Sequence, residues 1–339
     1  MKALYVTEPG QTALRDLDEP RPNADQVLLK TRLIGFCGTD LSTFRGKNPL
    51  VSYPRIPGHE IAATVVETGP EVPPNICVGM DVTVYPNTCC GACASCRRGR
   101  TNACKFNQTL GVQRDGALAG YFTVPWEKVY HAGDLSLREL SLVEPLAVGF
   151  HATERGRVAR EDTVAVIGCG MVGLGAVASA AARGATVFAI DLDDKKLALA
   201  AQSGAHQMVN STSAPLHETL EKLTNGLGPD VIVEAVGTPD TYRLAVEEVA
   251  YTGRVVYIGW AKEPVSFDTK SFVHKELDIL GSRNYMSEFP AVIELLRKKR
   301  FPVEETISRT ASLAEAGAAL KDWCDAPQAF TKILVDLDA

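Results

Sequence analysis

The sequence predicts an α/β protein in two parts, a β-rich half followed by a doubly wound parallel sheet, and three observations carry that prediction. Up to about Pro145, short β-like runs are punctuated by glycine and proline. From about Val164, apolar strands alternate with helical stretches. A Gly-x-Gly-x-x-Gly run stands where the second pattern begins. At 339 residues the chain is long for one core and suits two domains of ordinary size.

In the first half, β-branched and aromatic runs at 2–6, 27–31, 61–66, 81–85 and 120–124 read as strands of a barrel or folded sheet. In the second, strands are predicted at 164–167, 186–190, 207–210, 231–235, 254–258 and 277–280, the six that a doubly wound sheet requires. The last fifty or so residues mix helix and strand and are expected to pack back on the first domain. No internal repeat or low-complexity segment interrupts this pattern.

Composition bounds the partners. Hydrophobic residues make up 45% and charged residues 22%, with a net charge of -6 and a pI near 5.6. A nucleic-acid or anionic-membrane surface needs a basic stripe, which this balance argues against. The densest basic run, Arg297-Lys298-Lys299-Arg300, follows helically spaced apolar residues and reads as a solvated helix end. The uncharged run 163–182 has the length of a membrane span, but its glycine spacing fits a turn and buried helix better. Residues 1–9 hold no apolar stretch before the first acid, so a cytoplasmic location is expected. In that compartment the crowding of four of the nine cysteines into residues 90–104 points to metal before disulfides.

Those four, Cys90, Cys93, Cys96 and Cys104, have the spacing C-x2-C-x2-C-x7-C. Four thiolates on one short loop can close a tetrahedral zinc site with no open position, which makes the zinc structural. An iron-sulfur cluster and a free-thiol cluster are the rival readings. Cys89 is out of register and is left unliganded.

A second, different set of ligands stands apart. Cys37-Gly38-Thr39-Asp40 and Ile56-Pro57-Gly58-His59-Glu60 offer the thiolate, imidazole and carboxylate of a zinc that keeps a position open for substrate. A cysteine and a histidine this far apart are more often core residues. Gly58, which permits a tight turn, and Glu60, a charge costly beside the apolar run 61–66 unless something pairs with it, favour a site.

The run Gly168-Cys169-Gly170-Met171-Val172-Gly173 follows a predicted strand and opens an alanine-rich helix, with Asp191 at the end of the next strand. Gly168, Gly170 and Gly173 suit the tight turn, and the helix start at Met171 and Val172 suits a pyrophosphate. Asp191 suits the adenosine ribose hydroxyls and repels a 2'-phosphate, so NAD is preferred over NADP. Lys195 and Lys196 read as a solvated helix face. A glycine-rich helix packing contact is the plain alternative for the run.

Together these motifs, with Val143-Glu144-Pro145-Leu146 and Gly281-Ser282-Arg283, resemble the zinc-dependent medium-chain alcohol dehydrogenases, in their polyol, threonine and sugar-acid branch. The resemblance covers nearly the whole chain. It implies a GroES-like catalytic domain at 1–147 carrying the zinc lobe at about 86–104, a Rossmann NAD-binding domain at 148–286, and a segment, 287–339, that returns to the first.

It further implies that Cys37 and His59 are catalytic-zinc ligands, with Glu60 and Glu144 sharing the remaining place directly or through water. Asp40 is implied to orient His59, and Thr39 to receive the substrate proton. Zinc would act as a Lewis acid on the alcohol, and NAD would take the hydride.

Ser42 stands where relatives commonly have histidine, which leaves the outer proton step to water. Ala63, Ala117 and Gly120 also depart from the usual pattern without removing a ligand. Thr43, Arg45, Arg283 and Asn284 are expected to face the substrate, an arginine there clamping a carboxylate, with a cofactor or domain contact as the alternative for the arginines.

The expected reaction is therefore oxidation of a secondary hydroxyl on a polyol or sugar acid by a homo-oligomer, dimer or tetramer. A threonine or simple-alcohol dehydrogenase and a non-catalytic NAD-binding protein are the alternatives.

Overall fold

Six parallel strands form the second half. The computed structural model describes residues 1–213 and 215–339. Across this sheet the order is Gln207–Asn210, Thr186–Asp191, Thr163–Ile167, Val231–Glu234, Arg254–Tyr257 and Asp278–Gly281, each neighbouring pair parallel. This is the 3-2-1-4-5-6 order of a Rossmann fold, whose direction reverses between Thr163–Ile167 and Val231–Glu234. Val164, Ala165, Val166, Val231, Ile232 and Val233 are fully buried, as strands covered on both faces must be.

Helix Met171–Ala182 follows the first of these strands and is buried along most of its length, which accounts for the uncharged run at 163–182. No helix among the described residues is long and apolar enough to cross a membrane. Glycine lets this helix touch helix Leu137–Arg155 backbone to backbone. A methyl on Gly149 would fall 2.2 Å from Ala176 N, and one on Gly175 would fall 2.7 Å from Leu146 O.

The first half is a β-rich GroES-like unit. Its sheet runs Ile307–Ser312, Lys332–Asp336, Gln26–Gly35, Glu60–Thr68, Asp81–Val84 and Val129–His131, with Tyr121–Pro125 also pairing with Gln26–Gly35. That ten-residue strand bonds Tyr121–Pro125 through residues 26–30 and Lys332–Asp336 through residues 33–35. Of two irregularities in its pairing with Glu60–Thr68, the one between Thr31 and Leu33 falls where the strand changes partners. Leu29, Ile34, Phe36, Ile61, Val65, Val82 and Leu118 meet in the core of this unit. All five expected runs are strands; Gln11–Asp16, mostly exposed, and the three-residue Val129–His131 escaped the pattern.

The chain divides into residues 1–144 with 303–339, and residues 145–302. Residues 287–302, expected in the returning segment, thus lie in the second unit. The reason is apolar burial. Helix Phe289–Arg297 buries Phe289, Val292, Ile293, Leu295 and Leu296, and Phe289 stacks on Tyr285 at 5.1 Å. Glu288 accepts a hydrogen bond from His151 Nδ1 at 2.7 Å. Residues 303–339 supply the two strands that extend the first unit's sheet, with Leu334 opposite Gly35.

Candidate active site and metal centres

Cys37 caps the short helix Gly38–Phe44, and Asp40 in that helix's first turn ties two segments together. Its fully buried carboxylate accepts from Cys37 N at 2.8 Å and from Gly58 N at 3.4 Å. Gly58 sits at φ 101, where a methyl would lie 3.0 Å from Ile34 Cγ2 and 3.1 Å from Leu118 N, so glycine alone fits the turn that aims His59.

His59 is 5% exposed, and its Nδ1, which has no hydrogen-bond partner, lies 3.8 Å from Asp40 Oδ1. The Cys37 thiol and the charge of Glu144, from helix Leu137–Arg155, both act on the imidazole. Burial disfavours the imidazolium, but Asp40, Cys37 and Glu144 outweigh burial and hold His59 well above its usual pKa. Burial raises the pKa of Asp40, with the attraction of His59 working the other way. A buried imidazole among a thiol and two carboxylates is a donor set short of positive charge. That deficit is what a divalent metal supplies, so Cys37, His59 and Glu144 fit a zinc ion by their chemistry. Thr39 Oγ1 adjoins them, 3.7 Å from Cys37 Sγ.

Glu60 is placed differently. Its Oε2 lies 2.5 Å from Lys332 Nζ, which also donates to Phe36 O at 3.0 Å, and both side chains are buried. The carboxylate folds over Gly35, where a methyl would fall 2.0 Å from Glu60 Oε2. The partner that a charge beside an apolar strand demands is therefore a lysine from the C-terminal strand. Of the two carboxylates expected to share the ligand place, Glu144 acts on His59, while Glu60 is held by Lys332. Sequence reading missed Lys332. Its signal was a lysine at the head of the apolar run Lys332-Ile333-Leu334-Val335.

The four-cysteine loop gathers its sulfurs within 4.8 Å of one another, the one such cluster of three or more candidate ligands among the described residues. Cys93 and Cys96 are 3.5 Å apart, Cys104 and Cys90 3.6 Å, and Cys93 and Cys104 3.8 Å. Four sulfurs at zinc's bond length define a tetrahedron with edges of about 3.8 Å, so the loop fits that ion closely. Backbone N–H groups of Cys90, Cys93 and Phe106 point at sulfurs of the cluster, as thiolates require. The Ser95 hydroxyl and the N–H groups of Cys96 and Lys105 lower the Cys93 thiol to about 5, whereas burial and neighbouring sulfurs push Cys96 up to about 12. Cys89 is exposed and outside the cluster.

In the second unit, Gly168 turns at φ 93 and donates to Ile190 O at 2.8 Å. A methyl on Gly173 would fall 1.8 Å from Gly168 O, so helix Met171–Ala182 closes on the turn only with glycine there. Gly170 faces open space, and the N–H groups of the first turn, at Met171 and Val172, begin the helix beside it. Asp191 accepts from Cys169 N at 2.7 Å, Leu192 N at 2.7 Å and Asp193 N at 3.1 Å. Its carboxylate thus also joins the glycine turn to the end of the neighbouring strand.

Two residues expected to face substrate are engaged by the fold instead. Thr43 is fully buried, donating to Thr39 O at 2.9 Å and accepting from Asn48 Nδ2 at 3.1 Å. Arg45 turns to the end of helix Ala316–Asp325, donating to Cys324 O at 2.6 Å and Cys324 Sγ at 3.2 Å. Arg283 and Asn284 follow strand Asp278–Gly281 in the second unit, Arg283 exposed and Asn284 in the left-handed region at φ 49.

Known proteins carry the same architecture. Residues 23–134 match the alcohol dehydrogenase GroES-like domain, and residues 171–298 match the zinc-binding dehydrogenase family. L-galactonate-5-dehydrogenase of Escherichia coli is 30% identical over 93% of this chain and 94% of its own. Sorbitol dehydrogenase of Bacillus subtilis is 31% identical over 99% and 97%. An Escherichia coli alcohol dehydrogenase, rspB, solved with NADH superposes with a TM-score of 0.91 at 30% identity, covering 99% of both chains. A zinc-binding dehydrogenase of Sinorhizobium meliloti bound to NADP gives 0.91 at 30% identity, covering 99% of this chain and 98% of its own. With both domains, the ligand cluster and the dinucleotide turn in one chain, this protein belongs to the zinc-dependent medium-chain alcohol dehydrogenase superfamily.

Proposed function

We propose that the protein oxidises a secondary hydroxyl of a polyol or sugar acid, with NAD as hydride acceptor. The observation that carries this reading is the gathering of half-buried Cys37 with buried His59 and Glu144, the Thr39 hydroxyl beside them. When bound, zinc supplies Lewis-acid polarisation of the hydroxyl and the nicotinamide accepts the hydride.

The chain's own residues do the rest. Cys37, His59 and Glu144 hold the metal, while Lys332 retains Glu60. Asp40 fixes the approach of the Cys37 turn to the His59 turn. Thr39 Oγ1 receives the hydroxyl proton and passes it toward water, since Ser42 offers no imidazole for a further step. Cys90, Cys93, Cys96 and Cys104 would hold a second zinc, which would stabilise their loop. Gly168, Gly170, Met171, Val172 and Gly173 receive the pyrophosphate, and Asp191 receives the ribose.

Asp191 favours NAD, although an NADP complex is known for a relative of equal similarity. Sugar-acid and polyol substrates are favoured by the relatives named for L-galactonate and sorbitol. Carboxylate recognition is proposed for the exposed Arg283, whose planar guanidinium suits a bidentate contact. Assembly into a homo-oligomer would use strand Asp278–Gly281, the edge of its sheet, whose Ile279 is exposed. Nine thiols with no disulfide among the described residues suit a cytoplasmic location.

The test is NADH formation by zinc-replete protein against polyols, aldonic acids, threonine and simple alcohols, with NADP beside NAD. Turnover of a polyol or aldonate with NAD supports the proposal. Selective turnover of threonine or a simple alcohol replaces the substrate class, and binding of NADH with no turnover of any alcohol would place the protein among non-catalytic members.

A further inference from the structure

Glu234 ends strand Val231–Glu234 at the carboxyl edge of the parallel sheet, the edge at which doubly wound folds bind their ligands. It is fully buried, and a buried carboxyl group is costly unless donors meet it. Its Oε1 accepts from Val236 N at 2.9 Å, Gly237 N at 2.7 Å and Thr241 Oγ1 at 2.8 Å. Its backbone carbonyl accepts from Ile258 N at 2.9 Å and Gly259 N at 3.2 Å, in the loop after the neighbouring strand. Donors from two loops therefore converge on one residue, while Oε2 has no hydrogen-bond partner.

The two loops touch through glycine. Gly237 has φ +84, and a methyl on it would fall 2.7 Å from Trp260 N; a methyl on Gly259 would fall 2.3 Å from Gly237 N. The first loop also backs onto the dinucleotide turn. Ala235 N donates to Ile167 O at 2.9 Å, and a methyl on Gly168 would fall 2.6 Å from Val236 Cγ2. Val236, 47% exposed, therefore stands beside the glycine turn in a position set by its own N–H bond to Glu234.

We infer that the Glu234 carboxylate is a positioning group for the dinucleotide, holding loop 235–237, on which loop 258–260 packs, against the Gly168 turn so that the wall of the nucleotide crevice is formed before the cofactor arrives. The inference rests on the reading of that turn as the NAD site. Glu234 itself is sealed beneath the loops. Its effect on the cofactor passes through the backbone of Val236 and Gly237, whose freedom to move would otherwise be lost on binding.

The experiment is a titration of NADH, read by nucleotide fluorescence, into the full-length, zinc-replete protein and its Glu234→Ala, Glu234→Gln and Thr241→Val variants, each well below its unfolding temperature. Losing the acceptor in Glu234→Ala weakens NADH binding by about tenfold or more with zinc content unchanged. Glu234→Gln keeps an amide oxygen for the same three donors and stays within about threefold of the parent, with Thr241→Val between them.

A Glu234→Ala protein that melts earlier yet binds NADH like the parent reduces Glu234 to a fold-stabilising residue and overturns the inference. So does a Gln variant as weak as the Ala variant. If Glu234→Ala does not fold, Thr241→Val decides, and an unchanged Kd there overturns it. A parent protein that binds neither NADH nor NADPH sinks the dinucleotide reading itself, a result distinct from a set of variants that all bind alike.

Discussion

The four-cysteine lobe and the Cys37 cluster draw candidate ligands from one short menu and arrange them in opposite ways. In the lobe, all four sulfurs come from residues 90–104, turned by Gly91 at φ 69 and Gly99 at φ 74, and they close within 4.8 Å of one another. The cluster takes Cys37, His59 and Glu144 from three distant segments, buries its imidazole and carboxylate, and does not close to that distance. Local turn chemistry can saturate a tetrahedral ion. A set assembled by the fold can leave a position open, and must then be held in place by residues that are not ligands, such as Asp40.

If that contrast is right, damage to each site has a different signature. Cys37→Ala is expected to lower turnover by about a thousandfold or more, as loss of Lewis-acid assistance worth several kcal/mol implies. Metal content should fall by one ion per chain with the melting temperature nearly kept. Retained turnover would break the assignment of the open site. Cys93→Ser is the converse. The lobe should lose its metal, the melting temperature should fall, and protease should cut within residues 90–104, because metal binding and folding of such a loop are one free energy. Turnover per folded molecule at low temperature should survive; its loss in proportion to lobe metal would mean that the two sites are not independent.

Lys332→Met tests the support beneath the open site. Removing one member of a fully buried ion pair leaves the Glu60 carboxylate without its cation, at a cost of about 3–5 kcal/mol in denaturant unfolding. Adding Glu60→Gln should recover much of that stability, and a single variant as stable as the parent would show that the pair is not what holds Glu60.

How much of this was legible in the sequence follows the same division. The lobe and the Gly168 turn are local patterns, so spacing alone revealed them, and the six parallel strands fell within a residue or so of their apolar runs. Cys37, His59 and Glu144 were legible as residue types in a familiar order, since no local rule brings them together. Lys332 lies 272 residues from Glu60, and Arg45 lies 279 residues from the helix end that engages it, so pattern reading could not pair either.

Thr43 was misread for a subtler reason. Four residues after Thr39 on one helix, its hydroxyl reaches back to the Thr39 carbonyl, and nothing in the spacing tells which face of so short a helix points inward. The boundary near 287 moved because an amphipathic helix announces that it will be buried but not against which core.

Asp40→Asn makes the finest cut between the two sites, because it alters neither a ligand nor the backbone. The carboxylate serves Cys37 N through Oδ2 and Gly58 N through Oδ1, with His59 Nδ1 3.8 Å from Oδ1. An asparagine has one acceptor oxygen. Keeping the shorter bond to Cys37 N turns its amide N–H groups toward Gly58 N and the imidazole, where they meet other donors. The imidazole also loses the largest of the charges that favour its positive end. Affinity for the open-site metal should fall by about 10–100-fold, the range seen when the residue behind a metal-bound histidine is lost. In a chelator series the variant should give up one ion early and the lobe ion at the parent's concentration, with turnover restored by added zinc. Parallel loss of both ions would mean that Asp40 holds the first unit as a whole, and that the open site has no support of its own.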